Sequence, residues 1–246
     1  MQTLKGKVIA ITGASAGIGK SIALELAKND VNVVLGARNT RELEKVVNEI
    51  KSLGQEAIFQ RVDVTIKEDL DKLVTLAVEH YGKLDVIINN AGIAKLSRID
   101  QLDTLGWSEM IDINLKGTLY GMAAAIAVFN RQKYGHIINI ISTSGLKIVP
   151  TQGVYAGTKN AVRTITEAFR QESEGNIRIT GISPGYIKTD FAVKSVDTES
   201  LKTAISDTVE KLAISPKTIA DAVIYAIGQP ANVEIGDIVI RPSAQN

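Results

Sequence analysis

Apolar residues in this chain fall into two alternating patterns. Short runs rich in Val and Ile occur at Lys7–Thr12, Asn32–Ala37, Ala57–Val62, Leu84–Asn89, Gly135–Ile141 and Ile177–Ile182. A short run with hardly any polar alternate reads as a strand buried on both faces. Between the runs lie amphipathic stretches of helical length: Ile18–Asn29, Thr40–Leu53, Glu68–Tyr81, Trp107–Arg131 and Gly153–Glu174. A weaker run, Glu234–Ile240, closes the set. Strand and helix in strict alternation predict right-handed βαβ units, hence an α/β fold. The expected product is a doubly wound parallel sheet of about seven strands with helices on both faces. One segment breaks the rhythm. Ile187–Ser215 is polar, helical in propensity and longer than an ordinary connection. Insertions of that length at a strand's carboxyl end often cover a site, so this segment is expected to be a lid.

Composition narrows the function classes. The 246 residues suit one domain spanning 1–246, and no linker, repeat or low-complexity tract divides them. Apolar residues make up 45% and charged residues 22%, as in an ordinary globular protein. A net charge of +1 gives no bulk field to recruit nucleic acid or an anionic membrane. Cysteine is absent, which removes disulfides, thiol catalysis and cysteine metal sites. The first residues lack the pattern of a signal peptide, and no apolar run is long enough to span a bilayer. A cytoplasmic protein without a metal is the expectation.

Two short stretches carry candidate chemistry. The first strand runs into "TGASAGIG", residues 12–19, where Gly13, Gly17 and Gly19 open a helix. Glycine lets backbone approach a ligand, and the helix start offers free N–H groups to a pyrophosphate. The spacing is G-x-x-x-G-x-G rather than the commoner G-x-G-x-x-G. The second stretch is "YAGTK", residues 155–159, which sets Tyr155 and Lys159 four apart on one helix face. A cation beside a phenol favours the phenolate, so the tyrosine pKa is expected to fall and the phenol to serve as acid or base. A surface pair without chemistry would have the same spacing.

Taken in order, "TGASAGIG", "NNAG" (89–92), Asn114 in "DINLKG", Ser142 followed by "YAGTK", and "SPGYIKT" (183–189) resemble the short-chain dehydrogenase/reductase family over nearly the whole chain. The resemblance implies a Rossmann-type core, a nicotinamide cofactor and reversible hydride transfer between an alcohol and a carbonyl. It casts Tyr155 as the proton donor and acceptor, and Lys159 as its pKa modifier and a ligand of the nicotinamide ribose. Ser142, in a catalytic segment spanning 142–159, orients the substrate oxygen; Asn114 helps hold a water that links the lysine to solvent. Without that role, Asn114 would be a buried amide satisfied by backbone. Cofactor contacts carried over are Gly13, Ser15, Gly17, Ile18 and Gly19, then Asp63 and Val64 at the adenine. Asn90, Ala91 and Gly92 fall at the ribose, and Pro184, Gly185, Ile187 and Thr189 wrap the nicotinamide amide and phosphate. Thr158 replaces the family's usual serine but keeps the hydroxyl. The ending "VEIGDIVIRPSAQN" departs from the common glycine-rich C-terminus and is similar to a subgroup of NADP-dependent dehydrogenases acting on serine-like 3-hydroxy acids and small aldehydes, the clavulanate dehydrogenase-like proteins among them.

Cofactor choice turns on "LGARN", residues 35–39. The end of the second strand faces the adenosine ribose, where an acid selects NAD and an arginine selects NADP. This chain has Gly36 and Ala37 followed by Arg38, with no acid, so NADP(H) is expected over NAD(H). Asn39, Thr40 and Ser15 add polar groups. The substrate pocket is expected from Ile93–Ile99, Thr143–Thr151 and the lid, with Lys95, Arg98 and Lys147 as candidates for holding a carboxylate. His80 and His136 match no motif and read as surface or structural, and Trp107 as core. The stretch "LYGMAAAIAVF" is apolar around most of its circumference, and the family assembles through this helix and the next, so a homotetramer is expected, with a dimer as the smaller alternative. Two other classes remain: a non-catalytic dinucleotide sensor, which would be expected to lack one of Asn114, Ser142, Tyr155 or Lys159, and a sugar-nucleotide epimerase or dehydratase, which shares Tyr-x-x-x-Lys but is expected to have a different glycine spacing and a larger substrate region than the roughly fifty residues after 190.

Overall fold

The computed structural model describes residues 3–173, 175–196 and 198–245. Among these residues seven strands form one parallel sheet in the order β3-β2-β1-β4-β5-β6-β7. They are β1 (Val8–Thr12), β2 (Asn32–Ala37), β3 (Ala57–Arg61), β4 (Val86–Asn89), β5 (Gly135–Ile140), β6 (Ile177–Pro184) and β7 (Asp237–Ile240). The order reverses between β1 and β4, so the loops at their carboxyl ends diverge and leave a crevice, the place where such sheets bind ligands. The expected fold class is therefore the observed one.

Among the described residues eight α-helices cover the sheet: α1 (Gly17–Ala27), α2 (Thr40–Ser52), α3 (Lys67–Tyr81), α4 (Thr104–Met110), α5 (Gly117–Gln132), α6 (Gly153–Glu172), α7 (Glu199–Leu212) and α8 (Pro216–Ile227). Two hydrophobic layers result. One packs α1, α2 and α8 against Ile9, Ile11, Val33 and Leu35. The other packs α3 and α5 against Val8, Ala10, Val34 and Ile87. Alternate residues of one strand thus serve opposite layers, which explains why these strands carry no polar alternate.

Three differences from the sequence reading are informative. The stretch expected as one helix from Trp107 to Arg131 is α4 and α5 joined through a π-helical turn at Ile111–Lys116, which contains Asn114. Such turns have no signature in apolar periodicity and gather at functional sites. Helix α8 was not anticipated, although Ser215 caps it by accepting from Lys217 N and Pro216 stands at its first position. The last residue of the expected helix Gly153–Glu174, Glu174, lies outside the described residues. Inside the expected lid are a 3₁₀ turn at Val193–Ser195 and α7. Asp197 of that segment lies outside the described residues. Among the described residues no helix is long and apolar enough to cross a membrane.

Candidate active site

The β1–α1 loop is built for a close approach. Gly13 has φ of +65°, and a Cβ there would sit 2.9 Å from Ala91 Cα. Ala16 precedes α1 and offers no side-chain cap, so the free N–H groups of the first turn remain for a ligand. Asn90 braces the loop: its Nδ2 donates to the carbonyls of Thr12 (3.0 Å) and Gly13 (3.2 Å). Thr12 Oγ1 in turn accepts from Asn90 N at 3.0 Å and Ala91 N at 3.1 Å. The Asn90 side chain therefore fixes the loop rather than pointing free at a ligand.

A cleft of about 1250 Å³ opens from this loop along the carboxyl ends of the strands. Seventeen of the nineteen residues singled out from sequence line it: Gly13, Ser15, Gly17, Ile18, Arg38, Asp63, Val64, Asn90, Ala91, Gly92, Ser142, Tyr155, Lys159, Pro184, Gly185, Ile187 and Thr189. Gly19 and Asn114 are not among the lining residues. Gly19 stands behind the loop, where a side chain would run into the Gly13 carbonyl. Asn114 is fully buried. Its Oδ1 accepts from Ile93 N at 2.8 Å, and its Nδ2 donates to Ile93 O at 2.9 Å and Thr158 Oγ1 at 3.2 Å. That is the satisfied buried amide. A methyl group on Gly92 would lie 3.2 Å from Asn114 Oδ1 and 3.4 Å from Lys159 Nζ, so the asparagine and the lysine meet behind that glycine.

At one end of the cleft Arg38 is exposed beyond β2 and faces Asp63 beyond β3. Burial raises the Asp63 carboxyl, but hydrogen bonds from the Thr65 amide (3.0 Å) and hydroxyl (2.8 Å), with Arg38 and Arg61, hold it below its ordinary value. Asn39 is not free for a ligand through its carbonyl oxygen, which caps α2 by accepting from Glu42 N at 3.2 Å.

At the other end lie Ser142, Tyr155 and Lys159, all buried. Ser142 follows β5 and caps a 3₁₀ turn at Thr143–Gly145, accepting from Ser144 N at 3.1 Å. Its neighbours are engaged elsewhere: Ser144 Oγ donates to Gln152 Oε1 at 2.8 Å, and Thr143 Oγ1 accepts from Gln245. That leaves the Ser142 hydroxyl as the one that bonds the Tyr155 phenol. Lys159 Nζ donates to Ile140 O at 2.9 Å.

The expected lowering of the tyrosine pKa is not what this site does. Burial pushes Tyr155 up to about 12, and the Ser142 bond opposes it only in part. Burial also pulls Lys159 down to about 8. Desolvation disfavours both charged forms, and it outweighs the attraction inferred from spacing. The Tyr155 ring also meets the segment expected as a lid, with its centroid 6.0 Å from that of Phe191.

Of the three candidate carboxylate holders, only Lys147 lines the cleft. Lys95 pairs with Glu109 at 4.0 Å and Arg98 with Asp100 on the surface. Sequence reasoning did not single out Arg241 and Gln245, which reach the cleft from the chain's end. His136 is structural rather than superficial: it is buried in β5 with Nε2 2.8 Å from Thr180 Oγ1. His80 is exposed on α3. Trp107 packs with Met110 and Tyr155, as a core residue would. Among the described residues no cluster of His, Asp and Glu could hold a metal ion.

The sequence profile described as short chain dehydrogenase matches residues 7–200. An uncharacterized oxidoreductase of Listeria monocytogenes is 46% identical over 246 residues, covering 99% of each chain. Among solved structures, an alcohol dehydrogenase from Thermococcus sibiricus complexed with 5-hydroxy-NADP is 29% identical with a TM-score of 0.86, covering 98% of each chain. The closed form of a serine dehydrogenase complexed with NADP+ is 25% identical with a TM-score of 0.88, covering 97% of this chain and 96% of that one. The fold is shared as well by an NAD+-bound xylitol dehydrogenase, 24% identical with a TM-score of 0.87 over 98% of this chain and all of that one. The chain belongs to the short chain dehydrogenase family and is an oxidoreductase of it.

Proposed function

We propose that this family member transfers a hydride between NADP(H) and a small alcohol or carbonyl substrate, with Tyr155 as general acid and base. The observation that carries the reading is the meeting of Ser142, Tyr155 and Lys159 at one end of a cleft whose other end holds a glycine loop and Arg38. The residues fit a dinucleotide. The Gly13 turn leaves no room for a side chain, the start of α1 is uncapped, and Arg38 and Asp63 face one another where an adenosine ribose would bind. When bound, the cofactor supplies or accepts the hydride.

The chain's own residues handle the proton and the geometry. A phenol with a pKa of about 12 holds its proton at neutral pH, ready to give it to a carbonyl oxygen during reduction. In oxidation the base is the phenolate, formed once that proton has left for solvent and favoured by the Lys159 charge, and it takes the proton from the alcohol. Ser142 then bonds the substrate oxygen in place of the phenol alone. Lys159, still mostly protonated at neutral pH, binds the ribose hydroxyls and stabilises negative charge on the phenol oxygen. Asn114 holds the wall behind them. Asp63 and Val64 flank the adenine, Ala91 and Gly92 the ribose, and Pro184, Gly185, Ile187 and Thr189 the nicotinamide amide and phosphate.

Residues 1–246 act as one domain, with residues 187–215 as the lid. Lys147, a cleft cation with no acidic partner among the described residues, favours a 3-hydroxy acid among the alcohols, with small aldehydes and ketones as the wider class. The α5 face bearing Leu119 and Ala123 is exposed and apolar, which supports a homotetramer, or at least a dimer, in the cytoplasm. Light scattering at micromolar concentration should report the tetramer; a monomer would contradict it.

The test of the reaction is a screen. Purified protein is mixed with NADPH or NADH and a panel of aldehydes, ketones and 3-oxo acids, and in reverse with NADP+ or NAD+ and alcohols and 3-hydroxy acids. Nicotinamide absorbance should change with at least one pair. Tight cofactor binding without turnover on any pair would favour the sensor instead.

A further inference from the structure

The tail after β7 makes contacts that the reaction just proposed leaves unused. Gln245 Oε1 accepts from Tyr186 N at 2.9 Å, and its Nε2 donates to Thr143 Oγ1 at 3.3 Å. One side-chain amide therefore ties the loop after β6 to the loop after β5. A turn inside the tail, Gln245 N to Pro242 O at 3.0 Å, sets the approach, and Gly185 N to Ile240 O at 2.7 Å is the last rung between β6 and β7. The fit is close: a side chain at Gly185 would strike the Gln245 amide.

We propose that Gln245 is a positioning residue that holds the two walls of the reacting end of the cleft at a fixed separation. The β5 wall carries Ser142, immediately before Thr143. The β6 wall carries Pro184–Ile187. Tyr186 N is a backbone donor at a strand's end with no ladder partner beyond it, so it takes a side-chain acceptor from elsewhere in the chain. Released, the two loops vary independently, and a misplacement of even an ångström between reacting groups costs about a hundredfold in rate. The inference rests on the reading of this cleft as the hydride-transfer site.

The test compares variants of the full chain in turnover and in amide hydrogen exchange. Gln245→Met keeps the bulk and removes both bonds. It should lower kcat/KM by roughly ten- to a hundredfold, with the melting temperature close to the parent's, and speed exchange in residues 142–146 and 184–188. Gln245→Glu keeps the acceptor for Tyr186 N, and the Thr143 hydroxyl can turn to donate to it. It should recover most of the activity. Thr143→Val should lose part of it and add nothing to Gln245→Met, since both cut the same link. The proposal is overturned if Gln245→Met stays within twofold of the parent, if Gln245→Glu is as poor as Gln245→Met, or if the loss only follows a lowered melting temperature. If the parent turns over no substrate, the functional reading fails, while the exchange data still decide whether Gln245 joins the two loops.

Discussion

The β1–α1 corner and residues 187–215, the proposed lid, both border the same cleft and are built in opposite ways. In the corner, every residue of β1 is buried, α1 buries five of its eleven residues, and Thr12 and Asn90 bolt the glycine loop to the end of β4. In the lid, α7 runs for fourteen residues and buries only Val209. Its start is uncapped, and Leu201 is half exposed. The lid is fastened at a few points: Leu96 N to Ser195 O at 2.8 Å, and Lys188 N to Ile214 O at 2.9 Å with Ile214 N to Tyr186 O at 3.1 Å. Local opening free energy follows buried apolar contact, so α7 is expected to open more readily than the corner. The difference teaches a division of labour. Under the proposed function, rigid backbone would fix the cofactor and the reacting groups, and a weakly held segment would be left to admit and select the substrate.

The largest expected effect sits where the two regions meet, at the Tyr155 ring that touches Phe191 of the lid. Tyr155→Phe keeps the ring and removes the proton. Turnover should fall by at least about 10²-fold. Cofactor affinity should stay near the parent's, because the corner is untouched. Steady-state kinetics with fluorescence titration of NADPH measures both, and turnover equal to the parent's would sink the mechanism.

Next in size is a pH signature of the reacting end in the protein free of cofactor. An ordinary lysine keeps its proton to about 10.5, whereas buried Lys159 releases it at about 8. Between those values the unfolded chain binds the proton and the folded chain does not, so stability rises with pH across that window. The full gain is about 3 kcal/mol. Tyr155 acts in the opposite sense. The unfolded phenol ionises near 10 and the folded one near 12, so stability falls again across that interval. These two groups together place a stability maximum near pH 10. Urea unfolding from pH 7.5 to 11 would reveal it, and the rise should vanish in Lys159→Met. An unchanged profile in that variant would assign the rise to other groups.

Much of the corner was legible in the sequence, and little of the lid was. Five strands are strongly apolar because they are buried on both faces, so their positions could be read directly. The glycines and Arg38 follow strand ends, and a strand end is easy to place. Other features depend on distances between remote parts of the chain. The role of Asn90 as a brace needs the β1 carbonyls, and the upward shift of Tyr155 needs its burial. Gln245 reaches Thr143 across 102 positions. The segment shows as polar helix propensity because α7 buries only Val209, and for the same reason its sequence says little about what it recognises. Ser215 and Pro216 are the sequence signals that start helix α8.

Arg38 sharpens the comparison from the cofactor side. A charge-assisted bond to a phosphate is worth roughly 1.5 to 3 kcal/mol, so NADP(H) should be preferred by about ten- to a hundredfold in kcat/KM. Arg38→Asp should erase or invert that preference while turnover at saturating cofactor stays largely intact. Substrate KM should not move, since Arg38 lies at the far end of the cleft from Tyr155. Equal kcat/KM for NADH and NADPH in the parent would remove the assignment.

The smallest effect belongs to the lid and tests the comparison most directly. Val209 is 8% exposed and is the one buried residue of α7. Val209→Ala removes two methyl groups from that contact and should cost about 1 kcal/mol. If α7 opens as a local unit, the cost is charged to lid closure and not to global unfolding. The melting temperature should then hardly change, while exchange in residues 199–212 rises severalfold. Ile205 and Phe191 line the cleft, so if residues 187–215 act as the proposed lid, substrate KM should rise severalfold with it. Cofactor affinity, set by the corner, should stay constant. A fall in melting temperature that matches the full cost, with unchanged KM, would mean that α7 unfolds only with the rest of the protein. The lid would then be as firmly built as the corner, and selection of the substrate would have to reside in fixed walls such as Leu146–Thr151.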